Sequence, residues 1–497
     1  VPRLDGTYAS DLRAYSVQVW YAGENLSGPG HLVTGGVDRG ALGNDNDMQT
    51  WPAIRGNPAV TKFAAMPFEP QRNVIQVSVA AEQRGYSLVS LSELMFLKYD
   101  EEHRLADDIG ALFSDPLRTA LAPGVDLARI NALQARLDGG ERDYCMEPDA
   151  LADELALARE LLNTGRSSGV VVSVVRSISG AGTLNYGQGG SVLQPLGVAA
   201  AAGQEITVYV SGIPDGEKVE IFATQFNAEA NTWSASMGTL ANGRNVLTIP
   251  QIGSQNTPRG GSLYITYSGS APQNIRLHVR RAVDIPVLEL TDWSTMTAQA
   301  RTAAIDAYLA ELDAYAPAGT GRQDDWRNVT EIATPSVLLS LPAQAVRGAL
   351  KGNRTEQLTN AVLAWEQVME ICRTVQGIPG PIQVRQNIRC MQMFSGAFMY
   401  AAGNHVGIGY GSCGGMVGGA PVIGAVTESN RLFGWGIAHE IGHNMDKLGK
   451  AEITNNIYSL AVQAFDGGAN TLPSRLEKSG KYAAIFNKTA QSLPGAS

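Results

Sequence analysis

The sequence predicts a multidomain α+β protein, and three observations carry that prediction. The chain has 497 residues, enough for two to four domains with cores of their own. Its apolar residues first recur at helical spacing, then alternate as they do in strands, and finally return to helical spacing. We therefore expect a mixed, partly helical N-terminal domain over residues 1–165, a β-sandwich-like domain over 166–290, and a third domain over 291–497.

Helical spacing in the first domain marks three segments. Apolar residues three and four apart predict helices over residues 105–113, 127–137 and 150–162. The run 163–169, which is rich in Gly and Ser, has the composition of a linker. The first domain is therefore expected to end close to residue 165.

The second domain contains short strands separated by Gly, Asn and Pro turns. Alternating β-branched and aromatic residues predict strands over 206–210, 218–222, 245–249, 262–267 and 275–279. Several short strands joined by turns are typical of a β-sandwich or a comparable all-β unit. His278 falls on the last strand, and we interpret it as a residue of the sheet rather than a ligand.

The third domain opens with helices and contains the clearest chemical signal. Helical spacing predicts helices over 297–315, 343–350 and 355–375. Further on stands the pentapeptide His439-Glu440-Ile-Gly-His443. Residues four apart share one face of a helix, so the two imidazoles can reach one metal ion. Glu440 can act on a water as general base without binding the metal, which is the zinc-protease arrangement.

The surroundings of the pentapeptide strengthen this interpretation over that of an ordinary pair of helix histidines. Only six histidines occur in the chain, and two of them have this spacing. Small residues line the segment at positions 434, 436, 438 and 442, so another backbone or a substrate could approach it closely.

A catalytic zinc ion needs a third protein ligand and keeps its fourth position open. Glu452 is the main candidate, because Gly449 can end the first helix and Glu452 can begin a second one that reaches about Phe465. Asp446, three residues after His443, is the rival. A metzincin would have Gly and His where this chain has Asp446 and Gly449, which excludes that class.

Asn456 is a candidate for a supporting role. It lies one turn beyond Glu452 on the same expected helix face. A polar side chain there could hold a ligating histidine in the tautomer that binds the metal.

Together these residues resemble a known family. Trp435-Gly436, the pentapeptide followed by Asn444, and the run Glu452-Ile-Thr-Asn-Asn-Ile-Tyr-Ser459 are similar to the signature of the enhancin and mucinase zinc metallopeptidases. This is metallopeptidase family sixty, of the Glu-zincin type. The family's third ligand is a Glu after the second His, followed by a Thr-Asn-Asn-like stretch. The β-rich segment from about residue 195 is also similar to the one that opens the family's catalytic module.

The resemblance implies a zincin-type catalytic domain in which His439, His443 and Glu452 hold Zn²⁺ and Glu440 is the catalytic base. It also implies a secreted or cell-surface enzyme that acts on O-glycosylated, mucin-like proteins. In that setting Trp435 could stack on a sugar ring. The alternative is that it packs under the helix.

A Gly-rich stretch over residues 405–417 is our candidate for the sheet edge that pairs with an extended substrate backbone. Within it, His405 and Tyr410 could donate to the oxyanion of the reaction. Equally, they could be a loop histidine and a packed tyrosine.

Composition narrows the remaining classes. The net charge of −9, without a Lys/Arg-rich run, argues against nucleic acid as a partner. No apolar stretch reaches about 18 residues, so we expect no transmembrane segment. The four cysteines lack the spacing of a zinc ribbon, and we expect one or two disulfides, with Cys372 and Cys390 as favoured participants, or else four free thiols including Cys145 and Cys413.

The function predicted is therefore that of a secreted zinc endopeptidase acting on mucin-like glycoproteins. A zinc protease that ignores glycans is the first alternative. A glycan-binding adhesin with structural zinc is the second, and Glu440 argues against it because a structural site has no use for a base. The resemblance also implies that family catalytic modules usually continue into a larger helical lobe, whereas 45 residues follow Glu452, which leaves the completeness of the substrate cleft open.

Overall fold

The computed structural model describes residues 12–21, 31–32, 74–84, 105–139, 148–178, 191–226, 233–252, 260–315, 325–377, 384–394, 396–420, 422–423, 426–427, 431–446, 448, 450–466 and 472–492. The chain divides into two compact units. One consists of Val1–Ser114 and Ala120–Gly165, and the other of Asp115–Thr119 and Arg166–Ser497.

In its described residues, the first unit combines a small sheet with three helices. Its antiparallel sheet has the order β2-β1-β3, with strands β1 (Leu12–Tyr21), β2 (His31–Leu32) and β3 (Val74–Arg84). Its helices, all predicted from apolar spacing, are α1 (Leu105–Gly110), α2 (Leu127–Asp138) and α3 (Pro148–Thr164). In α2, Asp126 caps the first turn by accepting from the Arg129 N–H at 2.8 Å.

The second unit begins with a β-sandwich. Its strands are β4 (Val170–Val172), β5 (Gln194–Ala201), β6 (Glu205–Ser211), β7 (Val219–Thr224), β8 (Ser234–Leu240), β9 (Gly243–Thr248), β10 (Gly260–Tyr267), β11 (Arg276–Arg280) and β12 (Val283–Asp284). They form two antiparallel sheets of order β12-β5-β10-β7-β8 and β4-β11-β6-β9, with a buried aliphatic core. His278 is buried in β11, and its ring nitrogens lie 2.7 and 3.1 Å from backbone oxygens, so it is a sheet residue as predicted.

A third sheet, which is mixed, follows in the same unit. Its order is β13-β14-β15-β16-β18-β17, with strands β13 (Val287–Glu289), β14 (Thr330–Ala333), β15 (Val337–Leu341), β16 (Gln386–Cys390), β17 (Met399–Ala401) and β18 (Val406–Ile408). The helices around it are α4 (Ala298–Tyr315), α5 (Ala343–Ala349), α6 (Arg354–Gln376), α7 (Tyr410–Cys413), α8 (Gly415–Gly418), α9 (Gly434–Met445), α10 (Asn456–Phe465), α11 (Arg475–Lys478) and α12 (Lys481–Ser492). The prediction of a multidomain α+β fold is confirmed. No helix among the described residues has the length and apolar character needed to cross a membrane.

The edge of this sheet is not the one predicted. Residues 406–408 of the Gly-rich stretch form β18, which lies between β16 and β17. The edge strand is β17, which pairs antiparallel with β18 and covers it. After β18 the stretch turns into the short helices α7 and α8, so the expectation that it forms the edge is wrong.

The cysteine pairing is also a correction. Cys372, Cys390 and Cys413 are buried free thiols, and Cys145 lies outside the described residues. The expectation of a disulfide that involves Cys372 and Cys390 is therefore wrong, and the three described thiols agree with the alternative of free cysteines. The thiol that contacts Cys390 is that of Cys413, and this contact together with burial raises the pKa of Cys413.

A buried polar cluster joins the β-sandwich to the mixed sheet, and we call it the seam. It consists of Ser262 and Tyr264 of β10, Glu331 of β14 and Ser340 of β15. The Glu331 carboxylate accepts hydrogen bonds from Tyr264, from Ser262 at 2.9 Å and from Ser340 at 2.7 Å. Burial raises the pKa of Glu331 to about 7 despite these hydrogen bonds, which act in the opposite direction.

Candidate metal centre

Helix α9 carries the pentapeptide, and its apolar face fixes its position. Ile437, Ile441 and Met445 are buried in the core of the mixed-sheet region. The chain enters the helix through Phe433, which has a φ of +54° and stacks on Trp365 with 4.1 Å between ring centroids. Because this apolar face packs on the core, the half-buried His439 and His443 lie on the more exposed side of the helix.

The helix ends earlier than expected. It stops at Met445, and the Asp446 N–H closes its last turn on the Gly442 carbonyl at 2.7 Å. Gly449, the predicted end, lies outside the described residues.

Two glycines of α9 let neighbouring elements approach closely, as predicted from the small residues. A Cβ at Gly442 would lie 2.6 Å from the Asn455 carbonyl oxygen, and one at Gly436 would lie 2.6 Å from the Met399 sulfur of β17. The backbone of Asn455 cannot give way, so the close approach of α9 to the turn before α10 requires glycine at position 442, whereas a larger residue at 436 would displace the Met399 side chain.

Glu452 meets both histidines, but not from a helix. Helix α10 begins at Asn456, and Glu452 lies in the preceding turn with a φ of +64°. Its carboxylate oxygens lie 3.2 Å from Nε2 of His439 and 3.0 Å from Nε2 of His443. The expectation that Glu452 begins the second helix is wrong, whereas the expected meeting of the three side chains is observed.

Asp446, the rival ligand, is used differently. Its carboxylate accepts from the Leu448 N–H at 2.8 Å and from the Thr454 hydroxyl. Both hydrogen bonds hold the turn that connects α9 to α10. The described contacts thus assign Asp446 to the turn and direct Glu452 to the histidines.

Asn456 bridges two of the three predicted ligands. Its Oδ1 lies 2.9 Å from Nδ1 of His439, and its Nδ2 donates to the Glu452 carbonyl at 2.8 Å. A proton on Nδ1 leaves Nε2 of His439 unprotonated, which is the form that binds a metal. This geometry supports the supporting role inferred for Asn456.

Asn455 is a neighbour of the site that the sequence analysis did not single out. Its buried Nδ2 lies 3.1 Å from Nε2 of His439 and 2.9 Å from Nε2 of His443. The only sequence signal for it is its place in the Thr-Asn-Asn stretch, since an amide has no characteristic spacing relative to a metal.

Glu440 is buried beside the two histidines. Burial raises the pKa of its carboxyl, and the Glu452 carboxylate adds to this, while His439 acts in the opposite direction. Glu440 directly follows His439 in the sequence. Its carboxyl is thus an acid–base group on the same helical turn as the two histidines.

Asn444, the residue after the pentapeptide, fastens α9 to the sheet. Its Oδ1 accepts from the Gly403 N–H at 2.7 Å, and its Nδ2 donates to Gln386 at 3.0 Å and to the His405 carbonyl at 3.2 Å. These three hydrogen bonds fix the helix against β16 and the turn between β17 and β18.

Among the described residues, no hydrogen bond or ring contact joins His405 or Tyr410 to His439 or His443. The His405 ring is fully buried, with Nε2 3.2 Å from the Tyr400 hydroxyl and Nδ1 2.8 Å from Asn404 Oδ1. Burial lowers its pKa to about 3. Tyr410 is half-buried at the start of α7. Oxyanion donation by either residue stays a prediction, and the contacts of His405, which lies between β17 and β18, favour the alternative of a loop histidine.

Trp435 is half-buried one turn before His439. Its indole N–H donates to Asn456 Oδ1 at 3.2 Å, and the Arg475 guanidinium lies 5.3 Å from the centre of its ring. These contacts agree with the packing alternative given for it above.

The donor set fits a zinc ion. The ligand atoms of His439, His443 and Glu452 lie within 4.8 Å of one another, and this is the cluster of metal-binding side chains found among the described residues. Two imidazole nitrogens and a carboxylate are a known catalytic zinc set that leaves one position open. The Glu452 side chain is 71% exposed, so the site opens to solvent on its side.

Comparison with known proteins identifies this region. Residues 325–470, which include the whole centre, match the family model described as Peptidase M60, enhancin and enhancin-like. The resemblance inferred from the sequence is thereby confirmed for this region. No curated protein matches the chain.

Two solved structures share the fold. One contains the CBM32-1, CBM32-2 and M60 catalytic domains of Clostridium perfringens ZmpB, with 20% identity, a TM-score of 0.56, and coverage of 76% of this chain and 38% of that chain. The other is the M60 catalytic domain of Clostridium perfringens ZmpC in complex with the sialyl T antigen, with 23% identity, a TM-score of 0.50, and coverage of 63% and 59%. The chain thus spans less than two thirds of the length of either structure.

Proposed function

We propose that this chain, whose residues 325–470 form a metallopeptidase domain of the M60 type, is a secreted zinc endopeptidase. Its substrates are O-glycosylated, mucin-like glycoproteins, cut beside a glycosylated Ser or Thr. One observation carries the proposal: His439, His443 and Glu452 present their ligand atoms together, with the carboxylate of Glu440 on the same helical turn.

Each residue of the centre has a separate task in this reaction. A bound zinc ion supplies a Lewis acid that polarises the scissile carbonyl and acidifies water. Glu440 accepts the proton of the attacking water and later delivers it to the leaving amine. Asn456 keeps Nδ1 of His439 engaged, so that Nε2 points toward Glu452.

The edge strand β17 is the proposed template for the substrate backbone. It is the outer strand of the mixed sheet, and Gly436 brings α9 directly against its Met399. An extended peptide that pairs with β17 therefore runs next to the helix that carries Glu440.

Support for a glycosylated substrate comes from a relative. The ZmpC domain, which shares this fold, was solved in complex with the sialyl T antigen. A sugar bound beside the scissile bond supplies binding energy away from the reacting carbonyl, and this energy can align the peptide in the centre. Removal of the sugar should then lower the rate constant as well as the affinity.

The test uses one peptide in two forms, with and without an O-glycan on a single Ser or Thr. The full chain with zinc is incubated with each form, and the cuts are mapped by mass spectrometry. We expect cleavage beside the glycosylated residue and little or none of the bare peptide. Equal rates on both forms would refute the glycan requirement and leave a glycan-independent zinc protease. Absence of any cleavage, also on denatured mucin-type glycoprotein, would refute the peptidase function.

The glycan-independent protease is the second candidate, and the contacts of Trp435 favour it. The indole that could stack on a sugar is hydrogen-bonded to Asn456 and lies close to the Arg475 guanidinium. If the enzyme recognises glycans, residues other than Trp435 must make most of the contacts with the sugar.

A further inference from the structure

Trp435 contacts the centre through a single atom. Its indole N–H and the Nδ1 of His439 both point to Oδ1 of Asn456, at 3.2 and 2.9 Å. An indole nitrogen is a donor only, so the atom that it faces must be an acceptor. Within the Asn456 amide, only the oxygen meets that requirement.

This contact decides which way the amide points. If the Asn456 amide were reversed, its NH₂ group would face the indole N–H, and two donors would meet without an acceptor. With the oxygen toward Trp435, the NH₂ group donates to the Glu452 carbonyl at 2.8 Å. The orientation of the amide therefore has two effects. It places an acceptor at Nδ1 of His439, which keeps the proton on that nitrogen, and it places a donor at the backbone carbonyl of Glu452.

The second of these effects matters because Glu452 is held in an unfavourable conformation. Its φ of +64° belongs to the left-handed region, which is unfavourable for a residue with a Cβ. The hydrogen bond from Asn456 to its carbonyl helps to hold that conformation, which directs the carboxylate to the two histidines.

Trp435 is itself fixed by its neighbours. Its carbonyl accepts from the Ser459 hydroxyl of α10 at 3.0 Å, and the Arg475 guanidinium lies 5.3 Å from its ring centre. Both contacts place the indole between α9 and the segment that follows α10. These contacts restrict Trp435, so its indole N–H stays directed at the Asn456 amide.

We infer that Trp435 is a positioning residue of the metal centre: by donating to Asn456 it orients the amide that holds His439 and Glu452. The inference rests on the proposed metal-binding role of these two residues. It predicts that loss of the indole N–H weakens metal binding even when the aromatic ring is kept.

The experiment measures the zinc dissociation constant of the full chain by competition with a chromophoric chelator, without any substrate. Trp435→Phe keeps a ring and removes the N–H, and Asn456→Ala removes the amide. Partners of metal ligands typically contribute about 10- to 100-fold to metal affinity, so each variant is expected to bind zinc at least about tenfold more weakly. Asn456→Asp, which keeps the acceptor for both donors, is expected to bind more tightly than Asn456→Ala.

A double variant tests whether Trp435 acts through Asn456. If it does, Trp435→Phe combined with Asn456→Ala should be no worse than Asn456→Ala alone, since the shared interaction is lost only once. Thermal midpoints of the metal-free proteins show whether each variant folds, and Arg475→Gln serves as a control that leaves the hydrogen bonds in place.

Three results would overturn the inference. They are wild-type zinc affinity in Trp435→Phe, losses that add in the double variant, and an Arg475→Gln loss as large as that of Trp435→Phe. If Trp435→Phe keeps zinc but no longer cleaves a glycosylated peptide, Trp435 reads the sugar instead. If the wild-type chain itself binds no zinc, it is the proposed function that fails.

Discussion

The metal centre and the seam both gather carboxylates and polar partners, yet their architecture differs. In the seam, hydroxyl groups surround the fully buried Glu331, and burial raises its pKa to about 7. In the centre, Glu440 is buried beside half-buried histidines, while the Glu452 side chain is 71% exposed. Chemistry requires access and an open coordination position, and only the centre offers them. The strongly raised pKa of Glu331 therefore belongs to a contact between two sheets and not to the candidate reactive site.

Because the two regions differ in this way, substitutions in them should affect different properties of the protein. A change at one of the three predicted ligands should alter metal binding or turnover and leave the fold intact, because the histidines are half-buried and Glu452 is exposed in a turn. A change in the seam should alter the free energy of unfolding and leave metal binding intact, because its side chains connect β10 to β14 and β15.

The largest expected effect belongs to Glu440→Gln. The substitution keeps size and polarity but removes the base, so turnover should fall by about 10²- to 10⁴-fold. Zinc content, measured by elemental analysis of the same preparation, should equal that of the wild type. Full turnover in this variant would contradict the role of Glu440.

The second effect concerns the third ligand. Glu452→Ala removes a carboxylate that meets both histidines, so zinc affinity should fall by more than the roughly 100-fold limit typical of indirect partners. Asp446→Ala is the matched control, because that carboxylate holds the turn instead. Metal analysis of both proteins decides, and loss of zinc in Asp446→Ala with retention in Glu452→Ala would reverse the assignment.

The third effect tests the seam. Glu331→Ala leaves the hydroxyls of Tyr264, Ser262 and Ser340 without their acceptor and the buried Arg389 without a nearby countercharge. The free energy of unfolding should fall by about 3–5 kcal/mol, the range for breaking a buried charged network. Denaturant titration measures it. A lower zinc affinity of the folded variant would contradict the expectation that a change in the seam leaves metal binding intact.

The fourth effect is a pH dependence of stability that comes from Glu331. Because its pKa in the folded chain is raised from 4.5 to about 7, the folded state keeps a proton that the unfolded state loses. The stability linked to this group is therefore complete below about pH 4.5 and is lost as pH rises through 7, by about 3 kcal/mol in total. Glu331→Gln cannot ionise, so the difference between wild type and variant should shrink at low pH and favour the variant at high pH. A difference that does not change with pH would refute the assignment.

Much of the fold was predictable because its strands are rich in β-branched residues and its helices have a clear apolar spacing. Strand β5, with the sequence Gln-Pro-Leu-Gly-Val-Ala-Ala-Ala, and β8, with Ser-Ala-Ser-Met-Gly-Thr-Leu, were not predicted, since small residues give no strand signal. The sheet edge was assigned wrongly because β17 has only three residues and is recognisable only through its pairing with β18.

The centre divides in the same way. His439, Glu440 and His443 are readable because they share one helical turn. The meeting of Glu452 with them depends on a left-handed turn, and the place of Asn455 depends on the close approach that Gly442 permits. The seam has no sequence signal, since Glu331 stands in a strand where a Glu would ordinarily face solvent. Its three hydrogen-bonding partners come from two other strands.

The most direct test of the central claim is a zinc titration of the metal-stripped chain with peptide cleavage as the readout. We expect no cleavage without metal and activity that rises with added zinc up to one equivalent per chain, with no activity at any zinc concentration in Glu440→Gln. Cleavage by the metal-stripped chain, or full zinc binding that never produces cleavage of any glycosylated or bare substrate, would contradict it.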